Sequence, residues 1–202
     1  MNKCYLVGAG DFCPMPTPDK NDIVIAADGG FDHLISHGVR CDVLIGDLDS
    51  LKSDLPDTEI IRHPKKKDKT DMYLALDLGL KRGYRDFEIY GATGGRLDHT
   101  LANLSILLYA KQSGAGAVLV TPHERIMLIE SESISLKNAF GKTLSVFAFG
   151  GAASEVTIKG AEYEVDDVNL DVDFPLGISN SFTESEAYIN VKSGALLIFS
   201  EI

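Results

Sequence analysis

Four clusters of aspartate punctuate the first hundred residues, each beside glycines, lysines or an arginine. Asp28 precedes Gly29 and Gly30. Asp47 and Asp49 flank Leu48 in Gly46-Asp47-Leu48-Asp49-Ser50. Asp71 closes Lys67-Asp68-Lys69-Thr70-Asp71, and Asp98 follows Arg96 in Gly91-Ala92-Thr93-Gly94-Gly95-Arg96-Leu97-Asp98-His99. Side chains two apart at a strand end point to one side, so Asp47 and Asp49 converge and repel. A hard divalent cation relieves that repulsion, and Mg2+ in particular combines one or two carboxylates with phosphate oxygens. The glycines after Asp28 and in the run Thr93, Gly94, Gly95 let the backbone approach a ligand closely. Helix starts beyond them offer free N–H groups to an anion. Arg96 can grip phosphate oxygens through its planar fork. In the basic turn of Lys65, Lys66, Lys67 and Lys69, the expected phosphate contact is Lys69. These residues together describe a metal–nucleotide site for phosphoryl or nucleotidyl transfer, with the substrate left open.

Other readings of the same residues stand beside this one. Paired aspartates after a strand also occur in phosphatases of the haloacid dehalogenase type, where Asp47 would be the nucleophile. A non-enzymatic sensor of a nucleotide or another small ligand would hold a similar pocket. Thr70 or Asp68 also reads as a plain helix N-cap, and Asp71 in the first turn complements the helix dipole. His99 reads as an ordinary helix histidine. Gly8-Ala9-Gly10-Asp11-Phe12-Cys13 lacks the third glycine of a dinucleotide fingerprint, and Gly91–Arg96 lacks the Gly-Lys-Ser/Thr ending of a P-loop, so neither motif is assigned.

The elements that must carry these residues alternate. Near-continuous apolar runs predict strands at Tyr5–Val7, Ile23–Ala27, Val43–Ile45, Glu59–Ile61, Phe87–Tyr90 and Val118–Thr121. Helices are expected at Phe31–His37, ending at Gly38, at Asp71–Arg82, ending at Gly83, and at Leu97–Gln112. In the last of these, Leu97, Leu101, Leu104 and Leu108 form a stripe that predicts deep burial. Strand–helix alternation predicts a doubly wound parallel α/β sheet over residues 1–122. After Pro122 the texture changes to short strands separated by Gly, Asn, Asp and Ser: Arg125–Glu130, Ser133–Leu136, Thr143–Ala148, Glu155–Ile158, Ala187–Val191 and Ala195–Phe199. Residues 123–202 therefore read as a small β-sandwich or barrel.

Composition narrows the class further. The net charge of −11, with no basic run longer than Lys65–Lys67, disfavours a nucleic-acid partner. The opening Met1–Gly8 reads as a strand entering a turn rather than a signal peptide, and no apolar run reaches membrane length. Cys4, Cys13 and Cys41 are odd in number and lack C-x-x-C spacing, which suits a reducing cytosol better than a disulfide framework.

The four acidic motifs, together with a late Gly177-Ile178-Ser179-Asn180-Ser181-Phe182, occur in an order that resembles the thiamine pyrophosphokinase family over nearly the whole chain. That resemblance implies a catalytic α/β domain, a C-terminal β-sandwich for thiamine binding and dimerisation, and a homodimer with active sites at the subunit interface. The expected activity is transfer of the diphosphate of ATP to the hydroxyl of thiamine in the cytoplasm. By the same resemblance, Asp47, Asp49, Asp71 and Asp98 handle Mg2+ and diphosphate. Asp28, Gly29, Gly30, Lys69, Thr70, Thr93, Gly94, Gly95 and Arg96 hold ATP. Ser179 and Asn180 face thiamine, and Tyr163 takes the place of an aromatic neighbour, the chain having no tryptophan.

Overall fold

A computed structural model describes residues 2–202; Met1, the first residue of the N-terminal strand reading, lies outside them. Contacts divide the chain into two compact units, one up to Pro122 and one from His123 to Ile202.

The first unit is built on six strands, β1 (Lys3–Val7), β2 (Ile23–Ala27), β3 (Val43–Gly46), β4 (Glu59–Arg62), β5 (Asp86–Tyr90) and β6 (Gly116–Val120). They lie in the order β6-β5-β1-β2-β3-β4, and each neighbouring pair is parallel. Three helices flank them: α1 (Gly30–Ser36), α2 (Asp71–Lys81) and α3 (Leu97–Gln112). Tyr5, Val7, Val24 and Ala26 pack with Phe31 and Leu34 of α1 on one face. On the other face α2 lies so close that a Cβ on Gly79 would come 2.6 Å from the Phe87 ring and 3.0 Å from Cys4 Sγ. Helices on both faces bury the central strands completely, which is why those strands carry apolar residues at successive positions. The fold is doubly wound, as the alternation of elements predicts.

Helix α3 departs from expectation in which face it buries. Leu97 is 84% exposed and Leu101 60% exposed, so the leucine stripe does not enter the core. The buried stripe is Asn103, Ile106, Leu107 and Ala110, at i, i+3, i+4, i+7 spacing. The helix is apolar on more than one side, and a polar contact selects the side. Asn103 Nδ2 donates to the Ala92 carbonyl at 2.7 Å, turning the 103–110 stripe inward.

The second unit contains β7 (Glu124–Glu130), β8 (Ser133–Lys137), β9 (Thr143–Lys159), β10 (Val165–Leu170), β11 (Gly177–Ser181) and β12 (Glu186–Glu201). Pairs of short strands expected at 143–148 and 155–158, and at 187–191 and 195–199, are in fact two long strands. The intervening glycines bend each strand without ending it. Gly150 and Gly194 adopt φ of +75° and +94°, and the β9–β12 register shifts between Ser193 and Ala195. The first half of β9 joins β11 and the second half of β12, which continues to β7. The second half of β9 joins β10 and the first half of β12, which continues to β8. Two strands that switch sheets at bulges thus make both layers of a sandwich. Leu144, Val146, Val156, Ile158, Ile189 and Ile198 fill the space between the layers. Strands β10 and β11 escaped the sequence because Val165–Leu170 and Gly177–Ser181 carry little apolar content and irregular registers.

Candidate active site

In a doubly wound sheet, ligands bind beyond the carboxyl ends of the strands where the winding direction reverses. The chain leaves β1 for β2, β3 and β4 on one side, then returns to place β5 on the other, so the reversal lies between β1 and β5. The two loops leaving these strands are zipped together there. Gly8 N–H donates to the Tyr90 carbonyl at 2.8 Å, Gly10 N–H to Gly91 at 2.8 Å and Asp11 N–H to Thr93 at 2.7 Å. The approach leaves no room for side chains. A Cβ on Gly91, at φ +61°, would sit 2.2 Å from the Gly8 carbonyl oxygen, and one on Gly8 would sit 2.6 Å from that of Gly91.

A cleft of about 440 Å3 opens over these loops. Gly8, Ala9 and Gly10 line one side, Gly91–Arg96 another, and Asp28, Asp49, Ser50, Thr70 and Asp71 a third. Gly8-Ala9-Gly10, which matches no fingerprint, is therefore part of the floor. The available signal was its place directly after a strand, not its glycine spacing. Ser50, Asn103 and His99 also reach the cleft.

Asp28 follows β2 in a left-handed turn, φ +50°, and its N–H bonds to the Ile45 carbonyl at 2.9 Å. Gly46 permits this closeness: a Cβ there would come 3.2 Å from that of Asp28. Asp47 and Asp49 lie beyond the end of β3, so strand alternation does not aim them. A left-handed residue, Leu48 at φ +64°, and a bond from Asp49 N–H to Asp47 Oδ1 at 3.1 Å turn them toward Asp28 instead. Carboxylate oxygens of Asp28, Asp47 and Asp49 come within 4.8 Å of one another. Burial raises the Asp28 pKa, the Ser50 hydroxyl bonded to Oδ2 opposes that rise, and the charges of Asp47, Asp71 and Asp49 add to it. Asp28 Oδ1 is closed to solvent and has no hydrogen-bond partner. Asp49 is exposed, and the Lys65 ammonium bonded to it holds its carboxyl below the usual range. An all-oxygen donor set with an unpartnered buried oxygen fits a hard divalent cation.

Asp71 and Asp98 stand outside this trio. Thr70 caps α2, its Oγ1 accepting the Tyr73 N–H at 3.2 Å, and Asp71 in the first turn meets Lys67 Nζ at 2.7 Å. Lys69 lies over the Tyr73 ring, 4.5 Å from its centroid. Asp98 is gripped by Arg96 through bonds of 3.1 and 2.6 Å, both side chains being exposed, and this pairing lowers its pKa. Gly29 and Gly30 start α1, where a Cβ on Gly30 would strike the Val7 carbonyl oxygen at 1.9 Å. Half-buried Thr93 leads to the exposed Gly94 and Gly95, with φ of +82° and +65° at the glycines.

In the second unit, Asn180 is buried rather than open to a ligand. Its side chain bonds Tyr163 on both backbone groups, accepting from N–H at 2.9 Å and donating to C=O at 2.8 Å. The Tyr163 ring is 65% exposed, and Ser179 is exposed at φ +56°.

The class that these features define is a nucleotide-type α/β sheet with an acidic cleft at its switch point, joined in one chain to a β-sandwich. Residues 17–119 match the catalytic domain of thiamin pyrophosphokinase, and residues 131–196 match the vitamin B1 binding domain of thiamin pyrophosphokinase. The chain belongs to the thiamin pyrophosphokinase family. A thiamine pyrophosphokinase of Bacillus subtilis is 25% identical over 187 residues, spanning 89% of this chain and 87% of its own. A thiamin pyrophosphokinase of Caenorhabditis elegans is 22% identical over 87% of this chain and 77% of its own. The crystal structure of the Bacillus subtilis enzyme superposes with a TM-score of 0.88 at 22% identity, covering 99% of both chains. That of a thiamin pyrophosphokinase family protein from Enterococcus faecalis gives 0.85 at 25% identity, covering 100% of this chain and 99% of its own.

Proposed function

We propose that this protein transfers the diphosphate of ATP to the hydroxyl of thiamine, giving thiamine diphosphate and AMP. The observation that carries this reading is the meeting of Asp28, Asp47 and Asp49 beyond β2 and β3, at the cleft of a family-matched catalytic unit. In the reaction, the thiamine hydroxyl oxygen bonds to the β-phosphorus. The bond from that phosphorus to the oxygen bridging it to the α-phosphorus breaks, and AMP leaves with the bridging oxygen. The hydroxyl proton passes to a carboxylate of the cleft.

The chain's own groups do the positioning. Gly8–Gly10 and Gly91–Gly95 give the triphosphate a surface free of side chains, with Thr93 at its edge. Asp28, Asp47 and Asp49, with Asp71 beside them, would hold Mg2+, which when bound would screen the phosphate oxygens against an incoming nucleophile. Arg96, exposed and paired with Asp98, would be available to phosphate oxygens, and Asp98 would then be free to serve the cation. Gly29, Gly30, Lys69 and Thr70 complete the ATP side. Thiamine is held by Ser179 and by the flat face of Tyr163, whose backbone Asn180 pins. In a homodimer these three would come from a second copy of the chain. The cytoplasm is the compartment that fits three free cysteines, of which Cys41 has a thiol pKa pushed up to about 11 by burial. Among the described residues no helix is long and apolar enough to cross a membrane.

Incubation with ATP, Mg2+ and thiamine tests the reading. AMP should form only when thiamine is present. Phosphate released without thiamine would favour the phosphatase instead, and binding without turnover would favour a sensor.

A further inference from the structure

Of the four lysines around Asp68, three have evident neighbours at the surface or none. Lys65 bonds the exposed Asp49, Lys69 covers Tyr73, and Lys66 is exposed. Lys67 differs. Its side chain is only 14% exposed, and its ammonium stands 2.7 Å from Asp71 Oδ1, itself on a side chain 24% exposed. The two atoms are closed to solvent, yet neither makes a hydrogen bond with proper alignment. An ammonium has three donors, and burying it against one off-axis acceptor leaves hydrogen-bonding capacity unmet. A folded protein keeps such a group where a ligand completes it or where its charge is needed. Asp71 lines the cleft, whereas Lys67 is not among its lining residues. The charge of Lys67 also reaches Asp49, whose carboxyl is held low by Lys65 first and by Lys67 in addition.

We propose that Lys67 is a positioning residue of the diphosphate-transfer site. It clamps Asp71 Oδ1, so that the other carboxylate oxygen faces the cleft. It also supplies a fixed positive charge that tempers the acidic cluster. The inference rests on the proposed transfer reaction, and the role it gives Lys67 is separate from the phosphate contact expected of Lys69. A fixed ammonium limits how tightly the carboxylates alone hold a cation. Arginine would not replace lysine equally, because its planar fork is wider than a point charge.

The test uses Lys67→Gln with Lys66→Gln as the control for loss of a neighbouring charge. Mn2+ binding to the nucleotide-free protein is followed by electron paramagnetic resonance, and AMP formation is followed separately. Removing the ammonium should tighten Mn2+ binding by roughly three- to tenfold, from loss of one nearby positive charge at intermediate dielectric. Turnover should fall at least about tenfold, with KM for ATP changing less than kcat, while K66Q matches the wild type in both. A K67Q protein with unchanged Mn2+ affinity would overturn the proposal, as would a wild type that binds no Mn2+. Should wild type bind Mn2+ but form no AMP with thiamine, the reaction assignment fails, and the Mn2+ comparison still decides the role of Lys67. Circular dichroism of K67Q distinguishes an unfolded variant; in that event Lys67→Met, which keeps the length of the buried stem, takes its place in the same comparison.

Discussion

Asp28 concentrates the conflict between function and stability in one side chain. It is half-buried, faces two other carboxylates, leaves one oxygen unpartnered and holds φ at +50°. Its folded pKa is raised, so the ionised form that prevails at neutral pH weakens the fold, and that cost fades as pH falls through the folded value toward the ordinary 3.8. Asp28→Asn removes the charge and keeps a residue that tolerates the left-handed turn. The metal-free variant should melt above the wild type at pH 7, with the gap closing as the pH falls toward 3.8. Its AMP formation should drop by at least about a hundredfold. A lower melting temperature would show that Asp28 is structural instead. The carboxylates could be nominated from the sequence only jointly, since an acid followed by glycine after a strand is by itself also an ordinary tight turn. Their grouping was not legible there. Alternation along β3 suggested one mechanism of convergence, whereas the turn at Leu48 supplies another and brings in Asp28. Lys67 was hidden among equals, because four neighbouring lysines differ only in burial.

At the scale of elements, two close approaches deserve substitution. Gly91→Ala puts a Cβ 2.2 Å from the Gly8 carbonyl and forces a side chain into the left-handed region. The expected result is a loss of about 2 kcal/mol or more in denaturant unfolding together with weakened ATP binding by calorimetry. Unchanged ATP affinity would separate the zipped loops from the nucleotide. The end of β12 gives a pH prediction. The Thr143 backbone N–H at 2.9 Å and the Lys142 ammonium at 2.9 Å hold Glu201 at a pKa of about 2, against an ordinary 4.5. A depressed folded value contributes stability above the unfolded pKa and loses it as pH falls between 4.5 and about 2. Glu201→Gln should therefore be the less stable protein at pH 7 and converge on the wild type near pH 2, read by acid titration of circular dichroism. Parallel gaps in stability at both pH values would refute the assignment. The strands of the first unit were readable because burial on both faces requires unbroken apolar runs. The bent β9 and β12 were not, since a glycine at a bulge and a glycine at a turn look alike without their hydrogen-bond partners. The leucine stripe of α3 misled for a related reason: periodicity marks apolar faces, and Asn103 decided between them.

For the whole molecule, the second unit matches a vitamin B1 binding domain, and the proposed reaction requires its ligand to meet a nucleotide site. If a second copy of the chain supplies that site, two inactive variants should rescue each other. Asp47→Asn and Tyr163→Ala, each impaired alone, should regain thiamine-dependent AMP formation when mixed and allowed to exchange subunits. Sedimentation should give twice the mass of one chain. A monomer, or mixed variants no more active than their average, would place both halves of the site within one copy.

The most direct test follows the atoms. ATP carrying heavy oxygen at the bridge between its α- and β-phosphorus is supplied with Mg2+ and thiamine, and the products are read by phosphorus NMR and mass spectrometry. Attack of the thiamine hydroxyl on the β-phosphorus predicts AMP that carries the label in its phosphate, with thiamine diphosphate formed in equal amount. Formation of ADP or free phosphate, or of AMP without the label, would contradict diphosphate transfer by this protein.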